Sequence, residues 1–177
     1  MALTGTPGTG KSTTARVLAH RHSTVEVGEL ARRLGYGRRA PEGVTVDLGP
    51  LVRKLRRDRN AVGSDLVVGH LAHLLPIRDV VVLRCHPREL ERRLARAGRS
   101  SADDRKENVL AEAIGVITAE AVSRRRTVFE VDTTGKGPSQ VAREVERWMS
   151  GPRPARWGRI DWLRDRTVTD RLLEWAA

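Results

Sequence analysis

Gly5, Gly10, Lys11 and Ser12 have the spacing of a G-x-x-x-x-G-K-S/T loop, and they constrain this chain more than any other feature in its 177 residues. In such a loop the glycines let successive backbone N–H groups turn inward around phosphate oxygens. The lysine reaches the β- and γ-phosphates, and the serine hydroxyl is placed to hold Mg²⁺. Behind it, Thr13-Thr-Ala-Arg-Val-Leu-Ala-His20 reads as a helix whose positive end faces the same anion. The competing explanation is a glycine-rich turn that merely caps a helix. Composition argues against it. Of 33 basic residues only Lys11, Lys54, Lys106 and Lys136 are lysine, so a strong arginine preference is broken at the one loop position that needs a slender point charge. The loop also falls where a first strand should end, so a nucleoside triphosphate site is expected there.

The length suits one domain with a substantial core, and a single domain over 1–177 is expected, as a monomer. No stretch approaches a membrane span, and Met1-Ala-Leu-Thr runs into the loop without a signal-peptide hydrophobic region, so a cytoplasmic location is expected. The single cysteine, Cys85, lies in an apolar run and reads as a buried strand residue, not a nucleophile. The net charge of +11 has two readings: an acidic partner such as nucleic acid, or solvated helix faces in an arginine-rich composition. The densest clusters are Arg53-Lys-Leu-Arg-Arg-Asp-Arg59 and Arg124-Arg-Arg126. With aromatic residues at 3%, stacking platforms for single-stranded RNA are not evident.

Short apolar runs alternate with longer helical patterns, the signature of a parallel sheet with crossover helices. Strands are expected at 2–4, 24–27, 65–68, 80–84 and 127–131. Helices are expected at 11–20, 28–34, 48–58, 87–97, 105–123, 138–149 and 161–174, with a short turn after Gly69. Glycine and proline mark 35–43, 76 and 151–158 as connections. In an open α/β sheet the ligand lies beyond the carboxyl ends of the strands, where Gly5–Thr13, Gly28, Gly69-His70 and Asp132-Thr-Thr-Gly135 would converge.

Further segments keep order and spacing with the loop: Val27-Gly-Glu-Leu-Ala-Arg32, Gly69-His-Leu-Ala-His-Leu-Leu75 leading into Val80-Val-Val-Leu-Arg84, Arg105-Lys-Glu-Asn108 with Glu112-Ala, and Glu130-Val-Asp-Thr-Thr-Gly135. Together they resemble the adenylate kinase isoenzyme 6 family, P-loop NTPases of archaea and eukaryotes linked to small-subunit ribosome maturation. The resemblance implies an α/β, adenylate-kinase-like P-loop fold: a parallel five-stranded sheet flanked by helices, with NMP-binding and lid segments. It implies ATP and AMP as substrates with Mg²⁺, the reaction ATP + AMP ⇌ 2 ADP with accompanying ATPase activity, and a small-subunit ribosomal protein and rRNA as partners. Carried over by position, Lys11, His70 and Arg99 are catalytic, and Gly8, Gly10, Lys11, Ser12, Thr13, Arg99 and Lys136 bind ATP. Ser12 holds the metal, and Gly28, Glu29, Arg32 and Asp47 bind the monophosphate within segment 28–51. The lid is 98–108, and 151–177 is a C-terminal extension.

This chain departs from that pattern twice. Arg99 follows Gly98 where the family has an aromatic residue, and Asp103-Asp104 replace a pair of lysines in a lid one residue longer. Arg99, Arg105 and Lys106 could supply cations to a travelling phosphoryl group or form a solvated basic turn. The second departure is at the third strand, which in the family ends in an acid, any residue, then histidine; here it ends Val68-Gly69-His70. Asp65 lies three residues upstream, about 10 Å away in an extended strand, and is a poor substitute; Asp132 and Asp47 are the other candidates. His70 could orient a water or acceptor phosphate as a neutral imidazole, or cap the following turn. His73 completes a His-x-x-His pair, but with no third ligand in view a zinc site is not expected. Two function classes follow: a nucleoside-monophosphate kinase, or an ATP-switched assembly factor on rRNA and a ribosomal protein. A small-molecule kinase with a nucleoside or shikimate-like acceptor is a weaker third.

Overall fold

The computed structural model describes residues 1–41, 43–98 and 101–176. In chain order the elements are β1 (Ala2–Gly5), α1 (Lys11–Leu18), β2 (Thr24–Glu26), α2 (Val27–Arg33), β3 (Gly37–Ala40), β4 (Gly43–Val46), α3 (Leu48–Arg57) and β5 (Leu66–Val68). They continue with β6 (Asp79–Arg84), α4 (Pro87–Ala97), α5 (Ala102–Ala113), α6 (Val116–Ser123), β7 (Thr127–Asp132), α7 (Pro138–Ser150) and α8 (Arg166–Ala176). Five strands pair in parallel in the order β2-β5-β1-β6-β7, so the chain leaves β1 at the centre of the sheet.

Both faces of this sheet are covered, which is why its strands read as nearly continuous apolar runs. Side chains alternate between the faces with period two. Leu3, Val68, Val81, Leu83 and Val131 pack against Ala15 and Leu18 of α1 and Val141, Val145 and Trp148 of α7. Ala2, Val25, Val67, Val80, Val82 and Val128 face the other way, onto α2, α3 and α6 through Leu30, Leu51, Leu55 and Ala121.

Three expectations are corrected. Residues 37–40 and 43–46, partly expected as a connection, pair as antiparallel strands with Gly37 opposite Val46 and Ala40 opposite Gly43. β3 has no apolar alternation and β4 alternates only over Val44-Thr-Val46, so packing on α2 shapes the pair: a Cβ on Gly28 would lie 3.0 Å from Val44 Cβ. The helix expected over 105–123 is two helices, interrupted at Gly115 in the left-handed region (φ 70°). It also starts earlier, at Ala102, because the Ser101 hydroxyl accepts the Asp104 N–H and the Asp104 carboxylate accepts the Ser101 N–H. Finally, the expected 161–174 helix is a single 3₁₀ turn, Trp162–Arg164, followed by α8. Among the described residues no helix is long and apolar enough to cross a membrane.

Candidate active site

The loop from Gly5 to Ser12 joins the end of β1 to the start of α1. Gly5 has φ 143°, and a Cβ there would stand 2.4 Å from the Leu83 carbonyl oxygen and 2.7 Å from Thr9 Oγ1. Glycine is therefore required for the chain to leave β1 beside β6. The Thr9 amide and hydroxyl both donate to the Thr6 carbonyl, at 3.2 and 2.8 Å. Lys11 Nζ folds back to donate to the same carbonyl at 3.0 Å. Burial pushes the Lys11 ammonium down to about 8, against the pull of the Glu26 and Glu112 carboxylates. Ser12 and Thr13 are exposed on the first turn of α1, and Thr13 Oγ1 donates to the Gly10 carbonyl at 2.8 Å.

Beside the loop is a cleft of about 280 Å³ lined by Gly8, Gly10, Thr13, Arg93, Thr133 and Lys136 among others. Four residues expected at the triphosphate thus border one cavity. Sequence reasoning missed Arg93. It donates to the Thr133 carbonyl at 2.9 Å and pairs with Glu89, one turn earlier on α4. The available signal was its i, i+3 helical spacing from Leu90, whose side chain closes on Gly8 together with that of Leu94. Lys136 is tethered to Glu144 at 3.0 Å.

At the end of β5, the Thr4 hydroxyl donates to the His70 carbonyl at 3.1 Å, and His70 lies within the electrostatic reach of Lys11 and His73. Burial, then these two neighbours, hold its imidazole below the ordinary histidine range, hence neutral at pH 7. His73 is buried between Thr4 Oγ1 at 3.1 Å and the Glu120 carboxylate at 2.7 Å, a structural bridge from β1 to α6. Among the described residues no group of three histidine, cysteine or acidic side chains is placed to hold a metal. Cys85 is buried and its thiol is pushed up to about 11, mainly by burial.

The acids considered for the end of β5 are engaged elsewhere or remote. Asp65 accepts from the Ser23 amide and hydroxyl at 2.9 and 2.8 Å, at the opposite end of the strands. Asp132 accepts from the Thr134 amide and hydroxyl at 2.8 and 2.6 Å. Asp47 is exposed at the start of α3. A strand-end carboxylate beside Lys11 and Ser12, Glu26, is absent from the sequence-based candidates. It interacts with the Ser12 hydroxyl and the Lys11 ammonium, while burial raises its carboxyl above the usual range. Its signal was an acid at the last position of a strand that ends beside the loop.

Residues 28–51 comprise most of α2, the β3–β4 hairpin and the first turn of α3. Arg32 pairs with Glu29 at 3.0 Å on the exposed side of α2. In the expected lid, Ser101 caps α5 and 102–108 form its first turns, and Asp103-Asp104 sit in the N-terminal turn, where the helix dipole and the Ser101 cap favour acids. Arg99 lies outside the described residues.

Residues 1–115 match the family described as "AAA domain". Archaeal proteins named "Putative adenylate kinase" match nearly the full length. The one from Thermococcus onnurineus is 38% identical over 165 residues, covering 92% of this chain and 90% of the relative. Those from Pyrococcus abyssi and Archaeoglobus fulgidus are 39% and 37% identical, covering 92% and 98% of this chain and 90% and 96% of the relatives. This chain belongs to that adenylate kinase family. A solved sugar kinase from Janibacter sp. HTCC2649 shares the fold, with a TM-score of 0.55 at 16% identity over 84% of this chain and 92% of its own.

In this adenylate kinase family member a buried ionic network lies behind the loop. Arg84 Nε donates to Glu112 at 2.7 Å, a second guanidinium nitrogen donates to the Glu112 carbonyl at 2.9 Å, and the third pairs with Glu130. Thr6 Oγ1 of the loop donates to Glu112 at 2.7 Å, and the Cys85 amide and Trp162 indole donate to its other oxygen at 3.1 and 3.2 Å. Glu130 receives Thr118 Oγ1 and the Gly158 amide, each at 2.7 Å. Two carboxylates share one guanidinium, so the neutral donors are what complete the solvation of the pair.

Proposed function

We propose that this protein is an ATP-dependent nucleoside-monophosphate kinase that catalyses ATP + AMP ⇌ 2 ADP. The observation carrying this reading is the loop with Lys11 Nζ closed over its Thr6 carbonyl, opening on a cleft that runs from Gly8 and Gly10 to Lys136. A separate segment, 28–51, follows β2 at the same edge of the sheet, and two nucleotides need two such sites. The names of the archaeal relatives support AMP as acceptor.

Transfer between two phosphates needs no protein base, because the acceptor oxygen is already anionic. The residues must hold the two phosphates in line, neutralise charge and exclude water. Lys11 exchanges its Thr6 carbonyl for a β- or γ-phosphate oxygen, assisted by the loop amides of Gly8 to Thr13. His70, neutral beside Lys11, orients the acceptor phosphate. Gly28, Glu29, Arg32 and Asp47 belong to the acceptor segment, and the lid, with Arg99, Arg105 and Lys106, excludes water. The Ser12 hydroxyl, exposed and beside a carboxylate, is an oxygen donor suited to a hard cation. A Mg²⁺ ion held there would supply positive charge to the triphosphate during transfer.

The test is ADP formation from ATP and Mg²⁺, with and without AMP, by the wild type and Lys11→Ala in parallel. Two ADP per ATP consumed, requiring both AMP and Lys11, is the expected result; full phosphotransfer by Lys11→Ala would overturn it. A second reading, an ATPase assembly factor acting on rRNA and a small-subunit ribosomal protein, is favoured by the net charge of +11 and by the valine at position 68. It predicts phosphate release without AMP and rRNA affinity that falls steeply with salt.

A further inference from the structure

In P-loop enzymes the divalent cation is held by the loop hydroxyl together with a strand-end carboxylate. Here β5 ends in Val68-Gly69-His70 and brings none. The adjacent strand does. Glu26 is the last residue of β2 and is level with Val68 across the β2–β5 ladder. Residues level with each other on paired parallel strands share a face of the sheet. Val68 packs on the face of Leu3, Ala15 and Leu18, so Glu26 lies on the α1 side, and the first turn of α1 carries Ser12.

The contacts agree with this placement. The Glu26 carboxylate lies in the field of Lys11 and within the influence of the Ser12 hydroxyl. The Lys11 ammonium and the Ser12 hydroxyl are the groups that favour the charged form of Glu26, and the residue is exposed, so lone pairs remain for a ligand. The other acid that acts on Lys11 is occupied: Glu112 accepts from Thr6, Arg84, Cys85 and Trp162.

We propose that Glu26, together with the Ser12 hydroxyl, holds the divalent cation of the bound triphosphate, delivering from β2 the carboxylate that position 68 of β5 lacks. The ligand is a hard cation in an all-oxygen setting, Mg²⁺ or Mn²⁺. This rests only on the triphosphate-binding part of the proposed function, not on the identity of the acceptor.

The experiment titrates Mn²⁺ into the complex of the full-length protein with ATP, following free Mn²⁺ by electron paramagnetic resonance. Wild type, Glu26→Gln and Glu26→Gln/Val68→Asp are compared, and ATP binding in EDTA is measured on each by calorimetry. Glu26→Gln should weaken Mn²⁺ binding by about tenfold or more. Its metal-free ATP affinity should be unchanged or higher, since a negative charge beside the phosphates is gone. The double variant should regain much of the Mn²⁺ affinity, because the carboxylate returns at the same level one strand over. Unchanged Mn²⁺ affinity in Glu26→Gln would overturn the proposal, as would an equal loss of metal-free ATP binding, which would make Glu26 a structural support of the loop. A wild type that binds Mn²⁺·ATP through Glu26 but forms no ADP from AMP would end the kinase reading and leave this one intact.

Discussion

Lys11 brings an ammonium into a place where burial outweighs two nearby carboxylates, and its pKa near 8 makes the first recognition event pH-dependent. A phosphate replacing the Thr6 carbonyl stabilises the charged form and raises that pKa. Below about pH 8 free and ATP-bound protein are both protonated at Lys11, so metal-free ATP affinity should be flat. Above it, binding must take up a proton, and affinity should fall by up to about tenfold per pH unit until the bound-state pKa is reached. Calorimetry in EDTA, in two buffers of different ionisation enthalpy, should detect this uptake above pH 8 and none below pH 7. Stability has its own sign. The folded pKa lies below the ordinary lysine value of 10.5, so the folded state binds fewer protons between the two values, and the cost of burying Lys11 is relieved as pH rises through that window.

At the scale of elements, the break between α5 and α6 and the hairpin on α2 matter most. Gly115 turns the chain beside the Arg84 guanidinium, which donates to the Glu112 carbonyl at the end of α5 and to both buried carboxylates. Glu112→Ala removes the acceptor of Arg84 Nε and of the Thr6 hydroxyl and leaves the buried Arg84 with Glu130 as its remaining carboxylate. It should cost about 3–5 kcal/mol, read as a lowered urea midpoint with unchanged slope. The hairpin is seated by the absence of a side chain at Gly28, where a Cβ would stand only 3.0 Å from Val44 Cβ. A leucine there must push β4 away from α2. Gly28→Leu should therefore raise KM for AMP by about tenfold or more while ATP binding in EDTA stays within a factor of about two.

Across the whole molecule, the C-terminal residues are built into the site's support. The Arg156 amide donates to the Val128 carbonyl at 2.8 Å and its carbonyl accepts the Glu130 amide at 2.9 Å, extending the sheet beyond β7. Trp162 reaches Glu112 and stacks edge-on against His86 at 5.2 Å; His86 pairs with Asp165 at 3.0 Å, and Arg171 with Glu91 at 2.8 Å. Removing the chain after Ser150 takes donors from both buried carboxylates, at about 1–3 kcal/mol for each group left unpaired. The truncated protein should melt roughly 10 °C lower, measured by calorimetry, with a single transition if the extension and sheet unfold together.

The triphosphate loop and the five parallel strands were legible because their determinants are local. Gly5, Gly10, Lys11 and Ser12 act within one turn of chain, and runs such as Val80-Val-Val-Leu declare a strand buried on both faces. What a residue meets across the sheet has no such local mark. That Glu26 lies level with Val68 follows from the register of two strands separated by some forty residues. Arg93 reaches Thr133 only because α4 packs over the loop. A helix that reads as continuous from 105 to 123 breaks at Gly115, where the buried Arg84 and the Gly115 amide both donate to the Glu112 carbonyl. Sequence by itself determined the phosphate-binding backbone, which depends on neighbours in the chain; tertiary structure decided which charges stand beside it, since burial and strand register are set by contacts between segments far apart.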